Sequence, residues 1–493
     1  MNQKKQHLLL RGISMSLFSL LWILASPTWA HEPHACQPDF PDAPILNGHL
    51  EQDDIGQGRV SFSRLFERGR QLFSAQFNTC DGQGRPATTG AGDKRIPDEP
   101  ARIRTSSPDS DSCAGCHNQP RPGGSGDFVA NVFVLAQALD PVTFSVSPEF
   151  SNERNTLGMN GAGAIEMLAR EMTADLQAQA QALPDGTHTL LTKGIAFEIT
   201  KSGGAVVSSK GVDTDLIIKP FHQAGVVRSI REFTVNAMNH HHGMQAEERF
   251  DLNPAKGMES DYDEDGVPRE LTIGDMTAAT IFQAGLGIPG RIMPVQHQDK
   301  KLVKNGEELF GGIGCVSCHS PKLILNSRNF VEPNPLNPPG TFNDSQAPFV
   351  FDMTLQGEGP YLEKDRQGTA IVRAYTDLKR HNLCDAEIRF FCNEQLAQGR
   401  PAQDGRPGEE FFITRKLWDV GNSAPYGHRG DLTTITEAIL AHGGEGRATR
   451  DAFVALDHND QRAVVAFLKT LQVLPAGSPA IVVAPALQGH AHD

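Results

Sequence analysis

Two pentapeptides of the form CxxCH carry the most specific chemistry in the chain, CAGCH at 113–117 and CVSCH at 315–319. Cysteines at positions i and i+3 can each form a thioether with a vinyl group of haem, and the histidine that follows can ligate the iron. A zinc ribbon is the alternative, but its CxxC pairs lie about 15–20 residues apart. The two copies here start 202 residues apart (315 minus 113). The sequence therefore predicts two covalently bound haem c groups, with Cys113, Cys116 and His117 at the first and Cys315, Cys318 and His319 at the second.

The residue opposite each proximal histidine decides whether a haem carries electrons or performs catalysis, because catalysis needs an open or displaceable face. For the second haem the predicted ligand is His442, in the sequence AHGGE at 441–445. It lies between a predicted helix and a glycine pair that lets the backbone approach closely. Met353 competes for this position, although packing of a flexible apolar side chain is the favoured interpretation for it.

For the first haem the outstanding segment is NHHHGMQ at 239–245. Three consecutive histidines after a helix cannot all face one way, so at most one or two of them reach the iron. In a haem protein they are candidates for a distal ligand or for the general acid–base of peroxide chemistry. A polar surface run is the alternative. The predicted catalytic residues are His240, His241, His242 and Gln245, and the sequence does not decide which histidine acts.

An acidic segment offers a calcium site. Asp261, Asp263 and Asp265 alternate before a turn glycine, and Glu270 follows. Several hard carboxylate oxygens around one point are what Ca²⁺ requires. The segment departs from an EF-hand loop, whose twelfth position is glutamate and is Thr272 here. A solvated acidic turn is the alternative to a calcium ion that clamps the region between the haem domains.

Two further polar clusters resemble loops at a haem edge. Arg380 and Arg429 are predicted to pair with haem propionates. His381 and His428, beside them in sequence, are interpreted as groups near the haem rather than iron ligands.

Four cysteines remain outside the CxxCH motifs: Cys36, Cys80, Cys384 and Cys392. The simplest pairing is Cys36 with Cys80 and Cys384 with Cys392, each closing a loop within one domain. Four cysteines allow three pairings, so connectivity stays open.

The elements around the motifs follow one outline: a helix, then CxxCH, then a closing amphipathic helix. Helical spacing is seen over 61–77 before the first motif, and over 305–310 and 461–471 around the second. The predicted fold is mainly α, with two cytochrome c-like haem domains, long loops and a few short strands. The predicted organisation is a signal peptide (1–30), an elaborated N-terminal haem domain (31–299), a C-terminal cytochrome c domain (300–475) and a disordered tail (476–493).

The first thirty residues are typical of an export signal, with a basic start, an apolar run over 13–25 and a small-residue cleavage site. The run is shorter than the roughly 20 residues of a membrane-spanning helix, so no stable membrane anchor is expected. Removal of the first thirty residues takes away three basic residues and moves the net charge from −14 to −17. A protein this acidic is a poor partner for nucleic acid. Periplasmic localisation is predicted.

Several segments together resemble the dihaem oxidoreductase family, related to bacterial dihaem cytochrome c peroxidases and MauG-type enzymes: CAGCHN, GAGAIEML, DYDEDGVPREL, CVSCHSP, LWDVGNSAPYGHRG and EAILAHGGE. In the peroxidases, the position of His442 looks like that of the methionine ligand of the electron-entry haem. Histidine there implies a second haem of lower potential. Many family members have a Gly-Asp-hydrophobic-Gly sequence where this chain has HHHGMQ. The peroxidases also carry a distal acid whose place in this sequence stays open.

The resemblance implies a periplasmic peroxidase-like oxidoreductase that reduces hydrogen peroxide with electrons from a small periplasmic donor protein. In this hypothesis electrons enter at the second haem and peroxide binds at the first. One alternative is a non-catalytic dihaem cytochrome c that transfers electrons, favoured by the many histidines able to close each iron. Another is a MauG-like enzyme that oxidises a side chain of another protein.

Overall fold

The computed structural model describes residues 43–84, 110–127, 129–131, 153–250, 267–344, 346–392 and 411–485. The predicted signal peptide lies outside these residues. The helices of the described part are α1 (Gln52–Gly56), α2 (Phe62–Ser74), α3 (Cys113–Cys116), α4 (Ala162–Ala182), α5 (Ile230–Ala237), α6 (Ile273–Ala284), α7 (His297–Gly312), α8 (Ile435–Leu440), α9 (Arg447–Ala455) and α10 (His458–Thr470). None of these helices is both long and apolar enough to cross a membrane.

Short strands alternate with these helices: β1 (Val129–Asn131), β2 (Glu153–Asn155), β3 (Gly186–Thr192), β4 (Ile195–Ser202), β5 (Ala205–Lys210), β6 (Gly290–Ile292), β7 (Leu323–Leu325), β8 (Asn329–Glu332), β9 (Phe349–Asp352), β10 (Glu363–Lys364), β11 (Ala370–Val372), β12 (Arg380–Asn382), β13 (Phe411–Ile413), β14 (Leu471–Gln472) and β15 (Val482–Val483). In the described part they form sheets of two or three strands, such as β3-β4-β5 and β10-β11-β7. Of the residues that the structure describes, 35% are helical and 17% lie in strands. The prediction of a mainly α fold is therefore wrong.

A pair of crossing helices precedes and closes the first CxxCH motif. Helix α2 begins after Ser61, whose side chain accepts a hydrogen bond from the backbone N–H of Arg64. Gly69 faces α6 so closely that a Cβ there would lie 2.5 Å from the Cβ of Phe282. The ring of Phe73 packs against that of Phe282 with centroids 5.2 Å apart. The absence of a side chain at Gly69 thus allows the two helix backbones to meet.

Helices α7 and α10 repeat this arrangement around the second motif. A Cβ on Gly306 would overlap the carbonyl group of Ala463, and the rings of Phe310 and Phe467 lie 5.4 Å apart. In both pairs the glycine precedes a phenylalanine by four residues, so the glycine and the phenylalanine ring lie on one helix face. Burying each such ring contributes roughly 1.5–3 kcal/mol. Each motif therefore lies in sequence between the two helices of a packed pair.

The apolar packing crosses the predicted domain boundary at residues 299 and 300. The largest cluster joins Leu65 and Leu168 with Leu325, Phe351 and Trp418, so strands after the second CxxCH motif pack against the first half of the chain. A separate cluster around Phe310, Ile435 and Phe467 belongs to the second helix pair. The segments of a haem unit thus need not be contiguous in sequence.

The region predicted as a disordered tail is partly structured. Strand β15 pairs in parallel with β6, with Val482 opposite Arg291. Residues 486–493 lie outside the described part of the chain. The chain therefore returns to the start of α7 after residue 475.

Candidate haem-binding sites

His319 and His442 face each other at the second CxxCH motif. Their ring centroids are 6.5 Å apart, with the rings tilted by 60°. The Nδ1 of His319 bonds to the carbonyl oxygen of Tyr375 at 3.0 Å, and the Nδ1 of His442 bonds to that of Ala438 at 2.8 Å. Tyr375 has a left-handed φ of 55°, which is rare for a bulky residue. Both rings are thereby held by one nitrogen, and the Nε2 atoms remain for a ligand between them.

This geometry fits an iron ion between the two rings. Two imidazoles that ligate one ion from opposite sides, through metal–nitrogen bonds of about 2.0–2.1 Å, place their centroids roughly 6–6.5 Å apart. Burial, together with the nearby His442, lowers the pKa of His319 to about 4. Burial also lowers the pKa of His442. Both imidazoles are therefore neutral near pH 7, and the neutral form is the one that binds metal.

Met353, the other candidate for this position, is 3% exposed and belongs to the main apolar cluster. Its backbone N–H bonds to Arg328. The structure places it in core packing rather than opposite His319.

A second buried histidine lies beside the same motif. Potential ligand atoms of Cys318, Asp377 and His381 lie within 4.8 Å of one another. The Nε2 of His381 bonds to Asp377 at 2.9 Å and its Nδ1 bonds to Glu445 at 2.8 Å. Although burial opposes it, these carboxylates raise the pKa of His381 to about 11. His381 is therefore a charged group beside the haem attachment residue, and both of its nitrogens are already engaged.

The first CxxCH motif is built on similar contacts. The ring of Phe73 lies 6.4 Å from that of His117, and Phe310 lies at the same 6.4 Å from His319. Burial, with a smaller contribution from His241, lowers the pKa of His117 to about 4. His117 is thus also neutral near pH 7.

The three consecutive histidines lie on a wide π-helical turn, Met238–His242, which extends α5 and ends at Gly243 with a φ of 68°. Such turns are frequent at functional sites. The Nδ1 of His242 bonds to the carbonyl oxygen of Ser110 at 2.7 Å, and its Nε2 lies 3.2 Å from the Sγ of Cys113. His242 therefore holds the attachment segment of the first haem.

His241 has a different environment from His242. It lies near enough to His117 to depress the pKa of that residue, the relation that His442 has to His319. His240 and His241 are both half-buried. His241 is therefore close enough to His117 to influence its protonation.

Gln245 and Glu270, assigned by sequence to separate sites, meet in the structure. The carboxylate of Glu270 accepts hydrogen bonds from the backbone N–H of Gln245 at 2.7 Å and from its side-chain amide at 2.6 Å. Glu270 is 2% exposed. Asp261, Asp263 and Asp265 lie outside the described residues. Glu270 is therefore tied to the segment that carries the histidines.

The predicted propionate partners are engaged by carboxylates of the protein. Arg380 is buried and forms an ion pair with Asp213. Arg429 forms an ion pair with Asp431 at 2.9 Å, and its guanidinium lies over the ring of Phe390. His428 stacks on Phe412 with centroids 4.0 Å apart.

The cysteines divide as the sequence predicts. Cys113, Cys116, Cys315 and Cys318 are half-buried thiols, the form required for thioether formation. Cys384 and Cys392 form a disulfide, as predicted. Cys80 is also disulfide-bonded, and Cys36 lies outside the described residues.

These features describe a chain with two CxxCH motifs, each beside a pair of packed helices. The family described as "Di-haem oxidoreductase, putative peroxidase" matches residues 361–471, the segment that contains His442. This match confirms the resemblance to the dihaem peroxidase-like family that the motifs predicted.

A cytochrome-c peroxidase, IdrP2 of Denitromonas iodatirespirans, is 28% identical over 187 residues. The match covers 37% of this chain and 42% of that protein, so the chain spans less than half of this relative. Hydrazine synthase of Kuenenia stuttgartiensis aligns over 89% of this chain and 100% of that one, at 12% identity and a TM-score of 0.32. A likeness this low carries no argument about the fold.

Sequence reasoning missed three contributors to the sites: the carbonyl groups that hold His319 and His442, and the pairing of Gln245 with Glu270. Carbonyl groups leave no signal in a sequence. The Gln245–Glu270 pair spans 25 residues, beyond the reach of a local motif. The capping box at Thr272 and Asp275 was a usable signal, because it starts α6 immediately after Glu270.

Proposed function

We propose that the protein is a periplasmic dihaem c-type oxidoreductase that reduces hydrogen peroxide with electrons from a small redox protein. The observation that carries this proposal is the difference between the two sites. The second site has two neutral histidines fixed on opposite sides of one position. The first has a wide turn whose His242 contacts Cys113 and Ser110.

Haem c, attached through the CxxCH cysteines, would supply electron entry at the second site and peroxide reduction at the first. His319 and His442 would hold the second haem from both sides, and bis-histidine ligation suits an electron port. The hydrogen bonds to Tyr375 and Ala438 fix the ring orientations, which limits rearrangement during electron transfer.

Reduction of hydrogen peroxide consumes two electrons and two protons and yields two molecules of water. Near the first site, His241 would take up and deliver a proton, as a positioned general acid–base does. His242 would keep the attachment segment in place through Ser110. Glu270 would orient Gln245 by accepting hydrogen bonds from its backbone N–H and its side-chain amide. The carboxyl group of Glu270 would be the acid of this site.

Export follows from the basic and apolar character of residues 1–30. The acidic net charge of −14 favours an electron donor with a basic contact surface.

Calcium binding by Asp261, Asp263 and Asp265 remains part of the proposal, and Glu270 serves the first haem instead. Isothermal titration of the holoprotein with Ca²⁺ tests this point, and an absence of binding would remove calcium from the account.

The test is peroxide turnover by the purified holoprotein with a reduced donor. Replacing His240, His241 and His242 together by alanine should lower kcat/KM by roughly 10²–10⁴-fold, the contribution of a general acid–base. His241→Ala alone should account for most of this loss. The matched control is His297→Ala, at the exposed start of α7. Unchanged turnover in the triple variant, with both haems loaded, would refute the assignment.

A further inference from the structure

A loop closed by the Cys384–Cys392 disulfide packs against the backbone of the glycines that follow His442. A Cβ on Gly443 would lie 2.6 Å from the carbonyl oxygen of Ile388 and 2.8 Å from that of Leu383. Both distances are too short for a real side chain. The loop backbone therefore lies directly against the residue next to His442, and glycine is required there.

Asp385 connects the loop to the same segment. Its Oδ2 accepts a hydrogen bond from the backbone N–H of Gly444 at 2.9 Å. Its Oδ1 accepts from the backbone N–H groups of Ile388 at 2.7 Å and Glu387 at 2.8 Å. These bonds hold the pKa of the Asp385 carboxyl well below its usual range. One ionised carboxylate thus organises its own loop and fixes the backbone two residues beyond His442.

Two further contacts complete the enclosure. Arg447, at the start of α9, donates to the Oδ1 of Asp385 at 3.3 Å. The ring of Phe391, 6% exposed, meets that of His442 edge-on with centroids 6.5 Å apart. On the other side of the loop, the backbone N–H of Asn382 donates to Glu445 at 2.9 Å. Residues 382–392 therefore contact His442 and the segment after it from several directions.

We infer that the Cys384–Cys392 loop, acting through Asp385, is the positioning element that keeps His442 on the iron of the second haem. A ligand followed by two glycines has a mobile backbone unless that backbone is held elsewhere. Groups outside the ligand set commonly orient metal-binding histidines and have large effects on the metal. The inference rests on the proposed function in one respect, that His442 ligates the second haem.

The experiment measures how fast cyanide replaces His442 in the oxidised holoprotein, together with the midpoint potential of each haem. Asp385→Asn removes the charge and keeps the size of the side chain. It should accelerate replacement on the order of tenfold, as expected for loss of charge-assisted hydrogen bonds. It should also shift the potential of the second haem and leave that of the first unchanged. Paired Cys384→Ser and Cys392→Ser substitutions should act in the same direction.

The matched control is Asp365→Asn, whose carboxylate likewise caps a turn by accepting from the N–H groups of Gln367 and Thr369. Should Asp385→Asn fail to fold, the cysteine variant and Phe391→Leu carry the test. If the loop variants match Asp365→Asn in cyanide replacement and in the potential of the second haem, the inference is overturned. The proposed function still stands in that case if His442→Met changes the spectrum of the second haem. A second haem whose spectrum is unaltered by His442→Met would overturn both.

Discussion

The two ring nitrogens of His442 have different roles. Its Nδ1 bonds to the carbonyl oxygen of Ala438, four residues earlier, because the end of helix α8 leaves carbonyl groups without helical partners. The ring itself lies 6.5 Å from that of His319 between centroids, which leaves the Nε2 as the nitrogen for a metal ion. The sequence indicated His442 as a ligand, and the hydrogen bond explains how its ring orientation is fixed.

Replacing His442 by methionine should raise the midpoint potential of the second haem. Methionine opposite histidine raises the potential of cytochromes c, and an increase on the order of 100 mV is expected within the roughly 0.8 V range that axial ligands span. Potentiometric titration of the holoprotein measures the change. Met353→Leu, in the apolar core, should leave both potentials as they are. A shift caused by Met353→Leu instead would reassign the ligand.

At the scale of elements, the α7–α10 crossing depends on Gly306. Replacing it by alanine places a Cβ against the carbonyl group of Ala463 and should lower the free energy of unfolding by about 1–3 kcal/mol, the usual cost of overpacking. Gly311→Ala is the matched control in the same helix, because a Cβ there meets nothing within 4 Å. It should stabilise the protein by up to about 1 kcal/mol. Urea unfolding of the holoprotein measures both, and equal effects would contradict the proposed contact.

A buried ion pair joins β8 to α5 and should make stability depend on pH. Glu332, 1% exposed, pairs with Arg231 at 2.9 Å, and burial raises its pKa from 4.5 to about 7. The folded protein therefore retains a proton that the unfolded chain releases, so stability falls as the pH rises from about 4.5 through 7. In Glu332→Gln this fall should be smaller, as measured by urea midpoints at pH 5 and pH 8. An identical fall in Glu332→Gln and in the exposed-site variant Glu308→Gln would contradict this pKa.

The helices near the motifs were predictable because their signals are local. Apolar spacing predicted α2 and α10 close to their observed bounds. The crossings were not predictable, because Gly69 and Gly306 matter only through the helices they meet. For the same reason the sequence could not distinguish His241 from His242, whose difference depends on Ser110 and Cys113.

At the scale of the whole molecule, the predicted mainly α fold was wrong because short strands leave weak signals in the sequence. Strands such as β10 and β14, of two residues each, show no alternation that a sequence pattern can display. They also pair across long separations, as β7 does with β11. Apolar spacing near the CxxCH motifs predicted helices. Other segments form small sheets, and strands after the second motif pack against the first half of the chain.

Low-temperature EPR of the holoprotein, fully oxidised and then reduced by one electron, tests the difference between the two haem sites most directly. The proposed function predicts a low-spin second iron with His319 and His442 as its ligands. It also predicts a first iron that is high-spin in one of the two states and whose signal changes on adding hydrogen peroxide. Two low-spin irons that ignore peroxide in both states would contradict the account and identify an electron carrier.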